Sequence, residues 1–141
     1  RYIDICEVHD MLRFELEHPE WKYTNTKTFK FFKDNYNLKK EHAMSNQLVG
    51  GILGIKKTNS IINFLNLFFN IIDADHNLIT SKYDELETDP KFIAHRHDQS
   101  ILSLLSKVTN TGYIIPDETW FNDGFGTNAQ IYPIWATRLR Q

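Results

Sequence analysis

Five consecutive side chains in the second half of the sequence have the types that bind charged substrates or transfer protons. They are His95, Arg96, His97, Asp98 and Gln99. A helix is predicted directly after them, since apolar residues recur at helical spacing between Ile101 and Val108. Asp98 precedes this apolar face in the position of an N-cap carboxylate, and the N-terminus of a helix favours anions such as phosphate. The segment is therefore a candidate site for chemistry on a charged substrate. The alternative is an exposed polar turn in which Asp98 only caps the helix.

A glycine pair interrupts an apolar run earlier in the chain. Residues 45–57 predict a buried strand, with Gly50 and Gly51 inside it. Glycines within a strand usually mark a bulge, or a place where a ligand or another backbone approaches closely. On that interpretation Asn46 and Gln47, at the start of the strand, face whatever approaches. The alternative is a pair of glycines that serves packing alone. The spacing does not fit a phosphate-binding loop.

Two carboxylates, Asp73 and Asp75, follow an apolar segment, as in sites that hold Mg²⁺ or Mn²⁺ against a diphosphate. The preceding segment, residues 60–72, has helical length and a capping signal at its start. The pair is therefore predicted to lie at the C-terminal end of a helix, where carboxylates are electrostatically disfavoured. We interpret it as a lookalike of a metal-binding motif.

The remaining patterns predict the elements that position these residues. Helices are predicted over residues 1–17, 25–36 and 60–72, and a short strand over residues 113–115. The helix at 60–72 is apolar on most faces, which predicts that other elements cover it. The fold class expected is α/β and mostly helical, with few strands packed by several helices.

The composition limits the classes of protein and partner. The chain has 141 residues and a formal net charge of −2, which gives no electrostatic case for binding nucleic acid. A single cysteine, Cys6, forms no internal disulfide, so we expect a reducing, cytoplasmic location. No apolar run has the length of a membrane span, and no signal peptide is visible. The chain begins at Arg1 and continues directly into helix-like sequence, so we expect it to be a piece of a longer polypeptide.

Taken together, these segments resemble a known family. The run Asn46-Gln-Leu-Val-Gly-Gly-Ile-Leu-Gly-Ile-Lys-Lys-Thr58, an apolar helix and then His95-Arg-His-Asp-Gln-Ser100 are similar to the second half of a GT-A type glycosyltransferase domain. Within that type, the pattern resembles the nucleotide-diphospho-sugar transferases and the glycosyltransferase-8-like proteins. The tail Tyr132-Pro-Ile-Trp-Ala-Thr-Arg138 adds to the resemblance, which covers roughly residues 22–138.

The resemblance implies a partial GT-A-like fold that lacks the N-terminal, nucleotide-binding half. Residues 1–141 are then a single domain or the C-terminal part of a larger catalytic domain. The family's metal-binding Asp-x-Asp ends that first half, whereas Asp73 and Asp75 follow the glycine strand, which is the wrong order. A divalent metal, Mn²⁺ or Mg²⁺, is expected only in the full-length enzyme, and none in this chain alone. The implied partners are a nucleotide-sugar donor, a glycan or other acceptor, and the missing half of the polypeptide.

The resemblance also implies roles for the candidate residues. Asp98 either orients sugar hydroxyls or acts as the base, and Gln99 hydrogen-bonds the donor or acceptor, or stabilises charge. The substrate-binding residues implied are His95, Arg96 and His97 towards the diphosphate, and Asn46, Gln47, Gly50 and Gly51 towards the acceptor.

Two other classes of function stay open at this stage. One is a non-catalytic structural or interaction lobe, which the missing first half favours. The other is a metal-dependent hydrolase using His95, His97, Asp98 and a distant ligand such as His76. A catalytic zinc needs three protein ligands and an open position, and no third ligand has a convincing spacing.

Overall fold

The central strand of the fold lies where the sequence predicts a helix. The computed structural model describes residues 1–121 and 125–137. The first helix, α1, spans only Tyr2–His9, and strand β1 follows at Met11–Pro19. The predicted helix over 1–17 is therefore wrong in its second half. Asp10 ends α1 in the left-handed conformation (φ 63°), and its N–H donates to the carbonyl of Cys6.

Three shorter strands complete a mixed, four-stranded sheet around β1. They are β2 (Asn46–Leu48), β3 (Gly54–Ile55) and β4 (Tyr113–Pro116). β2 and β3 run antiparallel to β1, and β4 runs parallel to it. The predicted α/β class and the predicted strand at 113–115 are confirmed.

The predicted strand over residues 45–57 is present as two short strands along one edge of β1. Leu12 pairs with Gly54 of β3 on one side and with Tyr113 of β4 on the other. Glu15 pairs with Leu48 of β2 on the side that β4 leaves open. Residues 49–53 connect β2 to β3, leave the sheet and contain the glycine pair. We call this segment the glycine excursion, since the glycines do not lie in a continuous strand.

Five further helices pack around the sheet. They are α2 (Glu20–Tyr23), α3 (Thr26–Tyr36), α4 (Lys40–Met44), α5 (Asn59–Ala74) and α6 (Asp98–Thr109). Asn25 caps α3 and Thr58 caps α5, each accepting a backbone N–H in the first turn. Single 3₁₀ turns lie at His76–Ile79, Asp84–Leu86 and Ala129–Ile131.

Buried side chains form two clusters. The larger contains Met11 of β1 and apolar residues of α3, α5 and α6. The smaller contains Leu12 and Phe14 of β1 with Ile115 of β4, and Tyr2 and other residues of α1 pack against it. Because Met11 to Phe14 are all buried, β1 lacks the alternation of polar and apolar residues that marks a half-exposed strand.

Helix α5 is covered on one face only by the described part of the chain. Ile61, Phe64 and Ile71 are buried, whereas Ile62 and Phe69 are 41% and 58% exposed. The prediction that other elements cover most of its faces is therefore wrong for these residues. No helix among the described residues has both the length and the apolar character needed to cross a bilayer. Arg138, the last residue of the tail pattern, lies outside the described residues.

Candidate functional site

The candidate site begins where the chain turns into α6. His97, the residue before the helix, adopts φ 49° and ψ −121°. A positive φ is uncommon outside glycine, and such strain is often found at functional sites. The predicted N-cap was Asp98, but Asp98 is the first helical residue and its side chain makes no capping bond. Its carboxylate is exposed and has no hydrogen bond or ion pair within residues 1–121 and 125–137, so it is free to bind a ligand.

The glycine pair lies directly against this turn. The N–H of Gly50 donates to Oε1 of Gln99 over 3.0 Å. A Cβ on Gly50 would stand 2.7 Å from Cβ and 2.9 Å from Cα of Gln99, so only glycine fits this position. A Cβ on Gly51 would meet nothing within 4 Å. The close approach predicted at the glycine pair is therefore made at Gly50, and the backbone that approaches is that of α6.

Gln47 lies beneath this contact rather than on its surface. Its side chain is fully buried, and its Oε1 accepts a hydrogen bond of 2.7 Å from Nε2 of Gln99. Its own Nε2 donates to Oε1 of Glu20 over 3.0 Å. Asn46, half-buried, accepts at its backbone carbonyl from Nζ of Lys107. The structure thus makes Gln47 a support for Gln99, and the sequence-based expectation that Gln47 faces an approaching ligand is not what the geometry shows.

Together the excursion and the turn line an open crevice of about 390 Å³. One side is formed by Gly50 and Gly51. The other is formed by the segment from Ala94 to Gln99. The chain segments that the sequence singled out are therefore adjacent in space, although about fifty positions separate them.

His95 supports the turn from within. Its ring is buried, Nε2–H donates to the carbonyl of Leu78 over 2.7 Å, and Nδ1 accepts from the N–H of Asn25 at 3.4 Å. Burial lowers the pKa of His95. The hydrogen bond to the carbonyl of Leu78 and the negative charge of Asp84 act to raise the pKa, but burial has the larger effect. Because both ring nitrogens are bonded to protein groups, the neutral ring has no free atom for a ligand.

Arg96 and His97 also line the crevice, and both lie on its solvent side. The guanidinium of Arg96 is exposed and lies 4.9 Å from the ring centre of Tyr23, a cation–π contact. Nε2 of His97 lies 2.9 Å from Oγ of Ser81. Nδ1 of His97 and most of the Arg96 guanidinium therefore remain available to an anionic group.

A buried ion pair fixes α6 behind the crevice. Nζ of Lys107 donates to Oε2 of Glu20 over 2.5 Å, and both side chains are buried. Ser103 donates to the same oxygen over 2.6 Å and accepts from the N–H of Leu48. These bonds connect α6 to α2 and β2. They therefore fix the position of α6 relative to the glycine excursion, which follows β2.

A second buried cation lies further along the same face of α6. Arg13 donates to Oγ of Ser106 over 2.7 Å and to the carbonyl of Val49 over 3.0 Å. Burial lowers its pKa to about 10, and the negative charge of Glu20 opposes this shift. Val49 immediately precedes Gly50, so Arg13 holds the base of the glycine excursion.

Sequence reasoning missed this buried polar face of α6. It assigned only the apolar stripe from Ile101 to Val108 to the interior, yet Ser100, Ser103 and Ser106 are buried as well. The signal was present: three small hydroxyl residues recur at spacings of three where a surface helix would carry charges.

The Asp73–Asp75 pair lies at the end of α5, as predicted. Asp73 is exposed, whereas Asp75 caps the next turn and accepts from Tyr83 and Asn77. Burial acts to raise the pKa of Asp75, but these hydrogen bonds outweigh it and hold the pKa below its usual value. Both carboxylate oxygens of Asp75 are thus used by the protein itself.

No three His, Cys, Asp or Glu side chains in the described part of the chain converge in a way that would hold a metal ion. The ligand set of the hydrolase alternative, His95 with His97, Asp98 and His76, is therefore not assembled in this conformation. Comparison of the chain with models of protein families, with curated proteins and with solved structures finds no match.

Proposed function

We propose that the chain is the acceptor and donor-sugar side of a GT-A type glycosyltransferase, which transfers a sugar from a nucleotide sugar. The proposal places the nucleotide-binding half outside residues 1–141. It extends the observed α/β fold to a partial GT-A-like fold, on the strength of the sequence resemblance.

One observation carries the proposal: the contact between Gly50 and Gln99. It supports the idea that the two segments on which the resemblance rests form the two walls of one crevice. Asp98 is on the rim of that crevice, with an exposed carboxylate. The proposal requires this contact, because the acceptor and the donor sugar must face one crevice.

The proposed reaction gives Asp98 one of two roles. The acceptor hydroxyl oxygen forms a bond to the anomeric carbon of the donor, and the bond from that carbon to the diphosphate breaks. The diphosphate leaves with the bonding electrons, and the hydroxyl proton goes to Asp98 if Asp98 is the base. In the second role Asp98 accepts hydrogen bonds from sugar hydroxyls and only orients the sugar.

The leaving diphosphate carries negative charge that must be compensated. Arg96 is the nearest exposed cation of the turn, and His97 offers its free ring nitrogen. The positive end of the α6 dipole adds to both. Gln99 uses one lone pair of Oε1 on Gly50 and one N–H of Nε2 on Gln47, so the other lone pair and the other N–H are left for a sugar hydroxyl. His95 and Gln47 are positioning residues, since their polar atoms are bonded to protein groups.

The resemblance also implies a divalent metal at the diphosphate, and the described residues do not fit one. Both carboxylate oxygens of Asp75 accept hydrogen bonds from protein donors. Among the described residues, no three His, Cys, Asp or Glu side chains are placed to bind one metal ion. The chemistry assigned to this chain therefore uses its side chains and the helix N-terminus alone.

The test is transfer by the full-length protein with a panel of nucleotide sugars, comparing Asp98→Asn with the natural sequence. A base contributes about 10²–10⁴-fold, so its loss lowers kcat by that factor. An orienting role instead gives a smaller loss, seen mainly in KM. Asp73→Asn is the matched control, because Asp73 is also an exposed helix-end carboxylate and lies away from the crevice. Transfer kinetics that are the same for both variants would remove Asp98 from the site.

A further inference from the structure

A further concave surface among the described residues lies away from the crevice. It is a groove of about 480 Å³ between α3 and α4, and no residue that lines it also lines the crevice. Its lining is built from lysines over an apolar floor: Lys30, Lys33, Lys39 and Lys40 above Phe29, Leu38 and Ala43, with Thr26 and Asp34. We call it the lysine groove.

The charge of the lysine groove is opposite to that of the whole chain. Five lysines and two carboxylates lie between Thr26 and Ala43, whereas the chain has a net charge of −2. Concave surfaces lined by one sign of charge concentrate the field and attract ions of the other sign. The local excess of cations therefore selects an anionic ligand.

Two of the lining lysines are not neutralised by the protein. Lys30 pairs with Asp34 at 2.6 Å, and Lys39 lies 3.9 Å from Glu41. Lys33 and Lys40 have no carboxylate partner within residues 1–121 and 125–137. Lys33 is in the last turn of α3 and Lys40 begins α4, so the two elements present their free cations to the same groove.

The floor of the groove limits the kind of anion. Phe29 and Leu38 are half-buried, so they offer apolar surface beneath the ammonium groups. A small inorganic ion would contact only the ammonium groups at the rim of the groove. A phosphate or diphosphate attached to an apolar body would use the rim and the floor together.

We propose that the lysine groove binds the phosphate or diphosphate group of an amphipathic ligand. Two sources share this chemistry: a soluble nucleotide and the headgroup of an anionic lipid. The assignment goes beyond the proposed sugar transfer, since it concerns a different surface and would stand if the crevice proved empty.

The test uses the full chain and two probes. Calorimetry measures binding of ADP, and co-sedimentation measures binding to vesicles of phosphatidylcholine with and without phosphatidylglycerol. The variant Lys33→Glu/Lys40→Glu reverses the two free cations. The matched control, Lys57→Glu/Lys91→Glu, reverses two exposed lysines outside the groove and makes the same change in net charge.

Binding of ADP, or binding only to vesicles that contain phosphatidylglycerol, is the expected result. The first points to a soluble phosphate and the second to a lipid headgroup. Either affinity should fall about tenfold or more in Lys33→Glu/Lys40→Glu and stay unchanged in the control. Added salt should weaken it. The proposal is overturned if neither probe binds, or if both double variants lose affinity equally. Unchanged thermal midpoints of both variants would show that the comparison is between folded proteins.

Discussion

Replacing Gly50 by alanine tests the contact that joins the two walls of the crevice. The added methyl group would stand 2.7 Å from Cβ and 2.9 Å from Cα of Gln99. The second of these atoms is backbone within the first turn of α6, so a change of side-chain rotamer cannot relieve the overlap. Either α6 or the glycine excursion must move.

The cost of Gly50→Ala has two sources. Overpacking a well-packed contact typically costs about 1–3 kcal/mol. Displacing the excursion also weakens the hydrogen bond from the N–H of Gly50 to Gln99, worth about 0.5–1.5 kcal/mol. We expect the free energy of unfolding to fall by roughly 2–4 kcal/mol.

Urea unfolding of Gly50→Ala and Gly51→Ala side by side measures this cost. Gly51 is the matched control, because a Cβ there meets nothing within 4 Å. Its free energy of unfolding should change by no more than about 0.5 kcal/mol. If the two alanine variants are equally stable, Gly50 and Gln99 are not in contact and the walls of the crevice are not joined as described.

Two further predictions concern the buried groups behind the crevice. Glu20→Gln leaves Lys107 buried without its counter-charge, so urea unfolding should show a loss of about 3–5 kcal/mol. Asp34→Asn, which breaks an exposed pair, should cost at most about 0.5 kcal/mol, and an equal loss in both would refute burial of the first pair. Since burial lowers the pKa of His95, the neutral ring is favoured in the folded state and the unfolded chain takes up the proton first. Thermal stability should therefore fall as the pH drops below about 6.5, less steeply in His95→Gln than in His76→Gln.

The sequence predicted well those elements whose pattern is local. Helices α3 and α5 have a clear helical period, and Asn25 and Thr58 supply side-chain caps at their starts. Strand β1 could not be recognised in the same way. Its residues Met11–Phe14 are buried on both faces, and their burial depends on strands and helices that are distant in sequence. Such a run has no period of its own to distinguish it from a helix.

In the candidate site, too, the local sequence predicts some features, and others depend on residues that are distant in sequence. A close approach at the glycine pair could be predicted, because a glycine inside an apolar run usually marks a bulge or a tight contact with another group. The identity of the approaching group, Gln99, depends on a contact across 49 positions. The burial of Gln47 and His95 likewise depends on partners from other segments, so residue type alone could not separate these supporting side chains from the exposed Asp98.

The most direct test of the central claim is an NMR titration of the ¹⁵N-labelled full-length protein with a panel of nucleotide sugars. If the crevice binds the donor sugar, at least one member of the panel shifts the amides of Gly50, Gly51 and Gln99 together and to saturation. Asp98→Asn should weaken that binding or shift its pattern. If no nucleotide sugar perturbs these amides, or if the saturating shifts all lie elsewhere in the protein, the crevice is not a sugar site and the proposed transfer reaction is contradicted.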